Sequence, residues 1–316
     1  PTPEIRVSAD TVICDGEIAT IQVRNPNDPI RGTWTYNLVV NADAAIEGER
    51  LSENGLTLTS ISETLTNNDN LAHKVEYHFT PWIHPDDLGA DCGGGQDTTV
   101  TIWVNPTPRI EVTATDTVVC NDENVDFDVK NPNSSVQGEW KYNLVVDYGA
   151  YVSGLNIGNE YTGGDVLLTD HLVNHDTAAH QVSYHFTPRI TPGDMGLDCG
   201  SGIDTTIWIW VNPTPEIRVT ASDTVICNVD DVDFNIRNPN IPIQGDWKYM
   251  LEVIYGTHIT GDDIGGEYDG TDVLLTDHLV NSDTIYHYVD YHFTPRITPI
   301  DGGVDCGEGI DTTIRI

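Results

Sequence analysis

The sequence predicts an all-β protein: a tandem array of three β-sandwich units forming an extended rod. Three observations predict it. The segment "TVICDGEIATIQVRNPN" from Thr11 returns as "TVVCNDENVDFDVKNPN" from Thr117 and as "TVICNVDDVDFNIRNPN" from Thr224. Within each copy, apolar and polar residues alternate at period two over short runs, and helical spacing is absent. The runs are separated by Asn-Pro, Asp-Gly and Gly-Gly, which are turn signals.

The repeat has a period of about 107 residues. Cys14, Cys120 and Cys227 are 106 and 107 apart, and Cys92, Cys199 and Cys306 are 107 and 107 apart. Trp34, Trp140 and Trp247 keep the step, as do "YHFTP" at Tyr77, Tyr184 and Tyr291 and "NPTP" at Asn105 and Asn212. "DVLLTDHLVN" stands at Asp165 and Asp272, where the first copy has "GLTLTSISETLTN". The expected units are 1–105, 106–212 and 213–316, the third truncated at its C-terminal end.

In the first unit, strand A is expected near 4–13 ("EIRVSA" onward) and strand B near 17–25 ("ATIQVRN"). Strand C near 33–40 places Trp34, Tyr36, Leu38 and Val40 on one face. Strand F near 73–80 places Val75, Tyr77 and Phe79 on one face, with Glu76 and His78 on the other. "TTVTIWV" supplies strand G near 98–104. About seven short strands in about 100 residues, with a Trp on the third, make an immunoglobulin-like sandwich. Neighbouring units are joined by "VNPTPRI" and "VNPTPEI", whose prolines hold the chain extended without a Gly/Ser spacer.

Composition narrows the function classes. Fifty Asp and Glu face fourteen Lys and Arg, a formal net charge of -36. Such a surface repels nucleic acid and anionic membranes. No stretch approaches the roughly 18 apolar residues that span a membrane. The chain begins inside one motif, "PTPEI", and stops inside another, "DTTIRI", as expected of a piece of something longer.

"ICDG" before strand B, "YHFTP" on strand F, "DCGGG" or "DCGSG" before strand G, and the closing "VNPTP" together resemble the PKD-like immunoglobulin-fold repeats of giant bacterial surface proteins exported by the type IX secretion system. The resemblance covers essentially the whole chain, three times over. It implies a stalk, adhesin or surface fibre at the cell surface, and no enzyme activity. The partners it implies are neighbouring repeats of the same chain and a homo-oligomeric fibre or surface partner.

Two cysteines per unit suit an oxidising, extracellular setting. One pairing is internal: Cys14–Cys92, Cys120–Cys199 and Cys227–Cys306. The sandwich topology favours another. The A–B turn and the F–G loop of one unit lie at opposite ends, a strand's length of roughly 23 Å apart. A disulfide needs Cα atoms within about 7 Å. The A–B turn of one unit faces the F–G loop of the next, so Cys14–Cys199 and Cys120–Cys306 are expected to staple neighbours. Cys92 and Cys227 would then pair outside this chain.

The F–G loops carry the candidate metal site. Asp87, Asp91 and Asp97 recur as Asp194, Asp198 and Asp204 and as Asp301, Asp305 and Asp311. Spaced Asp with Gly supplies oxygen ligands of the kind calcium takes, although the spacing is not that of an EF-hand. The alternative is a solvated acidic surface. His78, His185, His292, His171 and His278 lack zinc-site spacing and read as structural or exposed. Trp34, Trp140 and Trp247 read as core residues between the sheets. Trp103, Trp208 and Trp210 on strand G mark a face that could be exposed, with Arg315 in the third copy. No nucleophile elbow or Cys–His arrangement is present. The expected function is a structural segment of an extracellular array. Two rivals stand beside it: a carbohydrate-binding or calcium-dependent adhesion module, and accessory domains of a secreted enzyme.

Overall fold

The computed structural model describes residues 1–316 except Leu88, Gly94, Asp165, Met195, Ser201, Thr271, Asp272 and Glu308. Asp165 and Asp272, which open the shared "DVLLTDHLVN" segment, therefore lie outside the described residues, as do Gly94 and Ser201 of the glycine-rich motifs.

Each copy of the repeat folds as two facing sheets. In the first, strands Arg6–Ser8, Ile18–Arg24 and Ser60–Thr64 form one sheet. Val12–Ile13, Thr98–Val104, His73–Pro85, Gly32–Ala42 and Glu53–Leu56 form the other, in that spatial order. The same two-sheet pattern recurs over 111–211 and 218–315. Alternation decides what is buried: in Ile18–Arg24, Ala19, Ile21 and Val23 face inward while Ile18 is exposed. Tyr36, Leu38, Val75, Tyr77, Phe79, Ile102 and Val104 close the first core. This is an all-β, immunoglobulin-like sandwich. Among the described residues no helix is long and apolar enough to cross a membrane.

Three departures from the strand map have physical reasons. Strand A breaks in two: Arg6–Ser8 pairs antiparallel with Ile18–Arg24, and Val12–Ile13 crosses to pair parallel with Thr98–Val104. Strand F runs on through Pro81 to Pro85. Beyond Phe79 it is paired by the Gly32–Ala42 strand on one side only, where the missing proline N–H groups cost no ladder bond. Its open side is met at one point, where Cys92 bridges Ile83 through both backbone hydrogen bonds. Finally, Trp140 and Trp247 are core residues, but Trp34 is only half-buried. All three indoles donate to a backbone carbonyl just after the linker position, that of Glu4, Arg109 or Glu216.

The cores of the second and third repeats also contain a buried carboxylate. Asp170 and Asp277 have no exposed surface. Asp170 accepts from the hydroxyls of Tyr148 (2.7 Å) and Tyr184 (2.9 Å) and from the Leu155 N–H (2.7 Å). Asp277 does the same with Tyr255, Tyr291 and Asp262. In the first repeat Glu63 takes the place and accepts from Tyr77 alone of the tyrosines (2.7 Å). Burial, then the neighbouring carboxylate, drives the hydroxyls of Tyr77, Tyr148, Tyr184 and Tyr291 far above their ordinary pKa, so they stay protonated donors.

Candidate functional site: the joint between repeats

The chemistry-bearing residues of this chain meet at the boundaries between repeats, and they do so twice in the same arrangement. At the C-terminal end of each repeat are two loops, the turn after Val12–Ile13 and the loop around residues 67–73. The second is pre-shaped. Asn67 donates to Leu71 O and Val104 O at 2.8 Å each, and Asp69 takes the His73 imidazole at 2.9 Å. Asn174, Asp176 and His180 repeat this.

The linker is clamped from both sides. The buried Asn105 side chain donates to Gln137 O (3.1 Å) and accepts from Gln137 N–H (2.7 Å). Asn212 does the same with Gln244, at 3.0 and 2.8 Å. A second buried asparagine reaches across. Asn133 accepts from Arg109 N–H and donates to Thr107 O in the linker and to Asn70 O in the preceding repeat. Asn240 bonds Glu216, Thr214 and Thr177 in the same way. Beside them Ala72 N–H donates to Ser135 O, and Ala179 N–H to Pro242 O, each at 2.7 Å.

The other loop is held by charge and by a covalent bond. Asp194 accepts from the Thr11 hydroxyl (3.1 Å) and the Val12 N–H (3.0 Å) of the preceding repeat. Asp301 accepts from the Thr117 hydroxyl and N–H and from the Val118 N–H. Burial raises the pKa of each aspartate, but the hydrogen bonds it accepts outweigh that, and both end below the ordinary carboxylate value. Next to them, Cys14 is bonded to Cys199 and Cys120 to Cys306, with Cα atoms 5.4 Å apart in both. All four sulfurs' residues are buried, and Cys14 packs within the core cluster of the following repeat. Among the described residues no disulfide forms within a repeat; Cys92 and Cys227 are unpaired.

The nine F–G aspartates divide by position. Asp87, Asp194 and Asp301 each cap a turn, accepting from Gly89, Gly196 or Gly303. Asp91 meets His84, Asp198 meets Arg189, and Asp305 meets Arg296. Asp204 pairs with His185. Among the described residues no three His, Cys, Asp or Glu side chains converge as metal ligands, and Asp97 and Asp311 join none of these contacts. His78, His185 and His292 bond Thr99, Thr206 and Thr313 across the sheet. His171 and His278 bond Asp122 and Asp231. On strand G, Trp208 is exposed and Trp103 and Trp210 half-buried, while Arg315 pairs with Asp290 and lies over Tyr288.

Two asparagine clamps, at Asn105/Asn212 and Asn133/Asn240, were not among the sequence candidates. Their signal was visible in "NPTP" and "NPN", which recur at the same step as the cysteines.

Residues 11–108 match the model of the PKD-like domain family. Among curated proteins no sequence matches the chain. Of solved structures, the Escherichia coli adhesin FdeC aligns at 12% identity over 99% of this chain and 96% of its own, with a TM-score of 0.35. Invasin, a bacterial integrin-binding protein, aligns at 14% identity over 99% of this chain and 60% of its own, with a TM-score of 0.28. The chicken CNTN1 FN1–FN3 domains align at 10% identity over 100% and 97%, with a TM-score of 0.27.

Proposed function

We propose that this chain is a structural segment of an extracellular surface fibre or adhesin, of the giant type IX-exported kind its repeats resemble, and that its work is to carry tension without lengthening. The observation that supports this most is the interleaving of the two disulfides. Cys14–Cys199 and Cys120–Cys306 overlap along the chain, so each staple encloses part of the other's loop. The shortest covalent path from end to end runs to Cys14, crosses to Cys199, returns to Cys120 and crosses to Cys306. That path is about 100 residues, or about 350 Å fully extended, against about 1,100 Å for the reduced chain. The acidic surface keeps such an array soluble and apart from its neighbours.

The test is single-molecule pulling between the two termini, with and without reductant. The expected result is a fully stretched length that grows about threefold on reduction. Equal lengths in both conditions would overturn the reading.

A further inference from the structure

We propose that the outer face of the second repeat binds an arginine side chain, carried on a cationic segment of a partner protein, in a slot between Trp208 and Asp147. The second repeat is stapled to a repeat on either side, so this face stays open with both joints assembled. The proposal is independent of the tension reading.

Sheet order places the slot. Strands Gly138–Asp147, His180–Pro192 and Thr205–Val211 lie side by side, with Asp147 opposite Ser183 and Ser183 opposite Trp208. Alternation turns these three outward, because their neighbours Val182, Tyr184 and Ile209 are buried in the core. Adjacent strands are about 4.8 Å apart, which sets the Asp147 and Trp208 backbones about 10 Å from each other across a small serine. Trp208 is 54% exposed. Asp147 is exposed too; one oxygen accepts the Gly149 N–H at 2.9 Å, and the other has no donor among the described residues.

The other repeats reveal which chemistry suits this place. The positions of Asp147, Gln181, Ser183 and Trp208 are held by Asn41, Lys74, Glu76 and Thr101 in the first repeat. In the third they are held by Ile254, Tyr288, Asp290 and Arg315. The Lys74 ammonium donates to Glu76 at 2.6 Å. The Arg315 guanidinium donates twice to Asp290, at 2.7 Å each, with its carbon 4.1 Å from the Tyr288 ring centre. Both faces thus supply a carboxylate together with its cation. The second repeat keeps a carboxylate and a larger ring but has no lysine or arginine at these four positions. An incoming guanidinium completes the set. Its face stacks on the indole, the strongest aromatic partner for a cation, and its paired N–H groups suit the carboxylate. The net charge of -36 draws such a group in. A neutral sugar would also stack on Trp208, but it does not account for a cation–carboxylate pair at the same place in both other repeats.

The test follows the indole N–H resonances of the full oxidised chain by NMR as a tri-arginine peptide is added at physiological salt. Trp208→Thr, which installs the first repeat's residue, identifies the Trp208 signal. That signal is expected to shift saturably, while those of Trp140 and Trp247, bonded to the carbonyls of Arg109 and Glu216, stay in place. By fluorescence anisotropy with labelled peptide, Trp208→Thr and Asp147→Asn should each weaken binding about two- to fivefold. Glu111→Gln removes the same charge from an exposed position on the opposite sheet and should leave affinity unchanged. Unchanged thermal unfolding shows that each variant is folded. An unmoved Trp208 signal, equal weakening by Asp147→Asn and Glu111→Gln, or a Trp208 shift with maltotriose and none with tri-arginine would overturn the proposal.

Discussion

Asp194 in the second repeat accepts the Val12 backbone N–H of the first at 3.0 Å, and Asp301 accepts Val118 N–H of the second at 2.8 Å. One carboxylate thus fastens each of the second and third repeats to the edge strand of the one before it. The strand it holds is short, only Val12–Ile13 in the first repeat, and pairs with its own sheet through two residues. Without the aspartate that strand's first N–H would face solvent at a sheet rim.

This bond makes the joint sensitive to acid. Both aspartates have a folded pKa below the ordinary value of about 3.9. The stability they contribute is present in full above the unfolded pKa and is lost as the pH falls through the folded one. Titration of the Val12 and Val118 amide resonances is expected to report midpoints below about 3.9. Asp194→Ala is expected to weaken the first joint by about 1 kcal/mol, the value of a charge-assisted bond discounted for its exposure. Asp194→Asn, which keeps an acceptor, should cost less and abolish the Val12 titration.

Removing a staple should cost more than removing the aspartate. The paired substitution of Cys14 and Cys199 by serine opens a loop whose ends are 185 residues apart. The expected loss is about 2–5 kcal/mol, read by calorimetry against the unaltered oxidised chain. Added reductant should bring the unaltered chain down to the variant or below it.

Asp170, like Asp277, is a demanding core position. Asp170→Ala strands two tyrosine hydroxyls and the Leu155 N–H in a site without solvent. A cost of about 3 kcal/mol is expected in denaturant unfolding. Glu63→Ala in the first repeat, where a single tyrosine is bonded, should cost less.

Val229 adopts φ +66°, at the turn where the other repeats have Gly16 (φ +74°) and Asp122 (φ +64°). A β-branched residue is disfavoured there by its Cβ. Val229→Gly is therefore expected to raise the stability of the third repeat by about 1 kcal/mol, measured as an upward shift in thermal unfolding.

The repeat, the all-β class and the strands at 17–25, 33–40, 73–80 and 98–104 were legible in the sequence, because period-two alternation and turn residues act locally. So were the aromatic residues of the core: Tyr36, Tyr77 and Phe79 are fully buried as their spacing requires. What alternation could not reveal depends on partners distant in the chain. Strand A divides between two sheets because Val12–Ile13 finds its partner at Trp103 and Val104. Strand F passes through Pro81 because only one side of it is paired there. The F–G aspartates read as one acidic loop, yet the fold sends them to a turn and the preceding repeat, to a histidine or arginine, and to a strand histidine. Local composition by itself determined what each repeat is made of. Only the stacking of one repeat on the next decided which asparagines and aspartates face each other, because those contacts join residues about 30 to 183 positions apart.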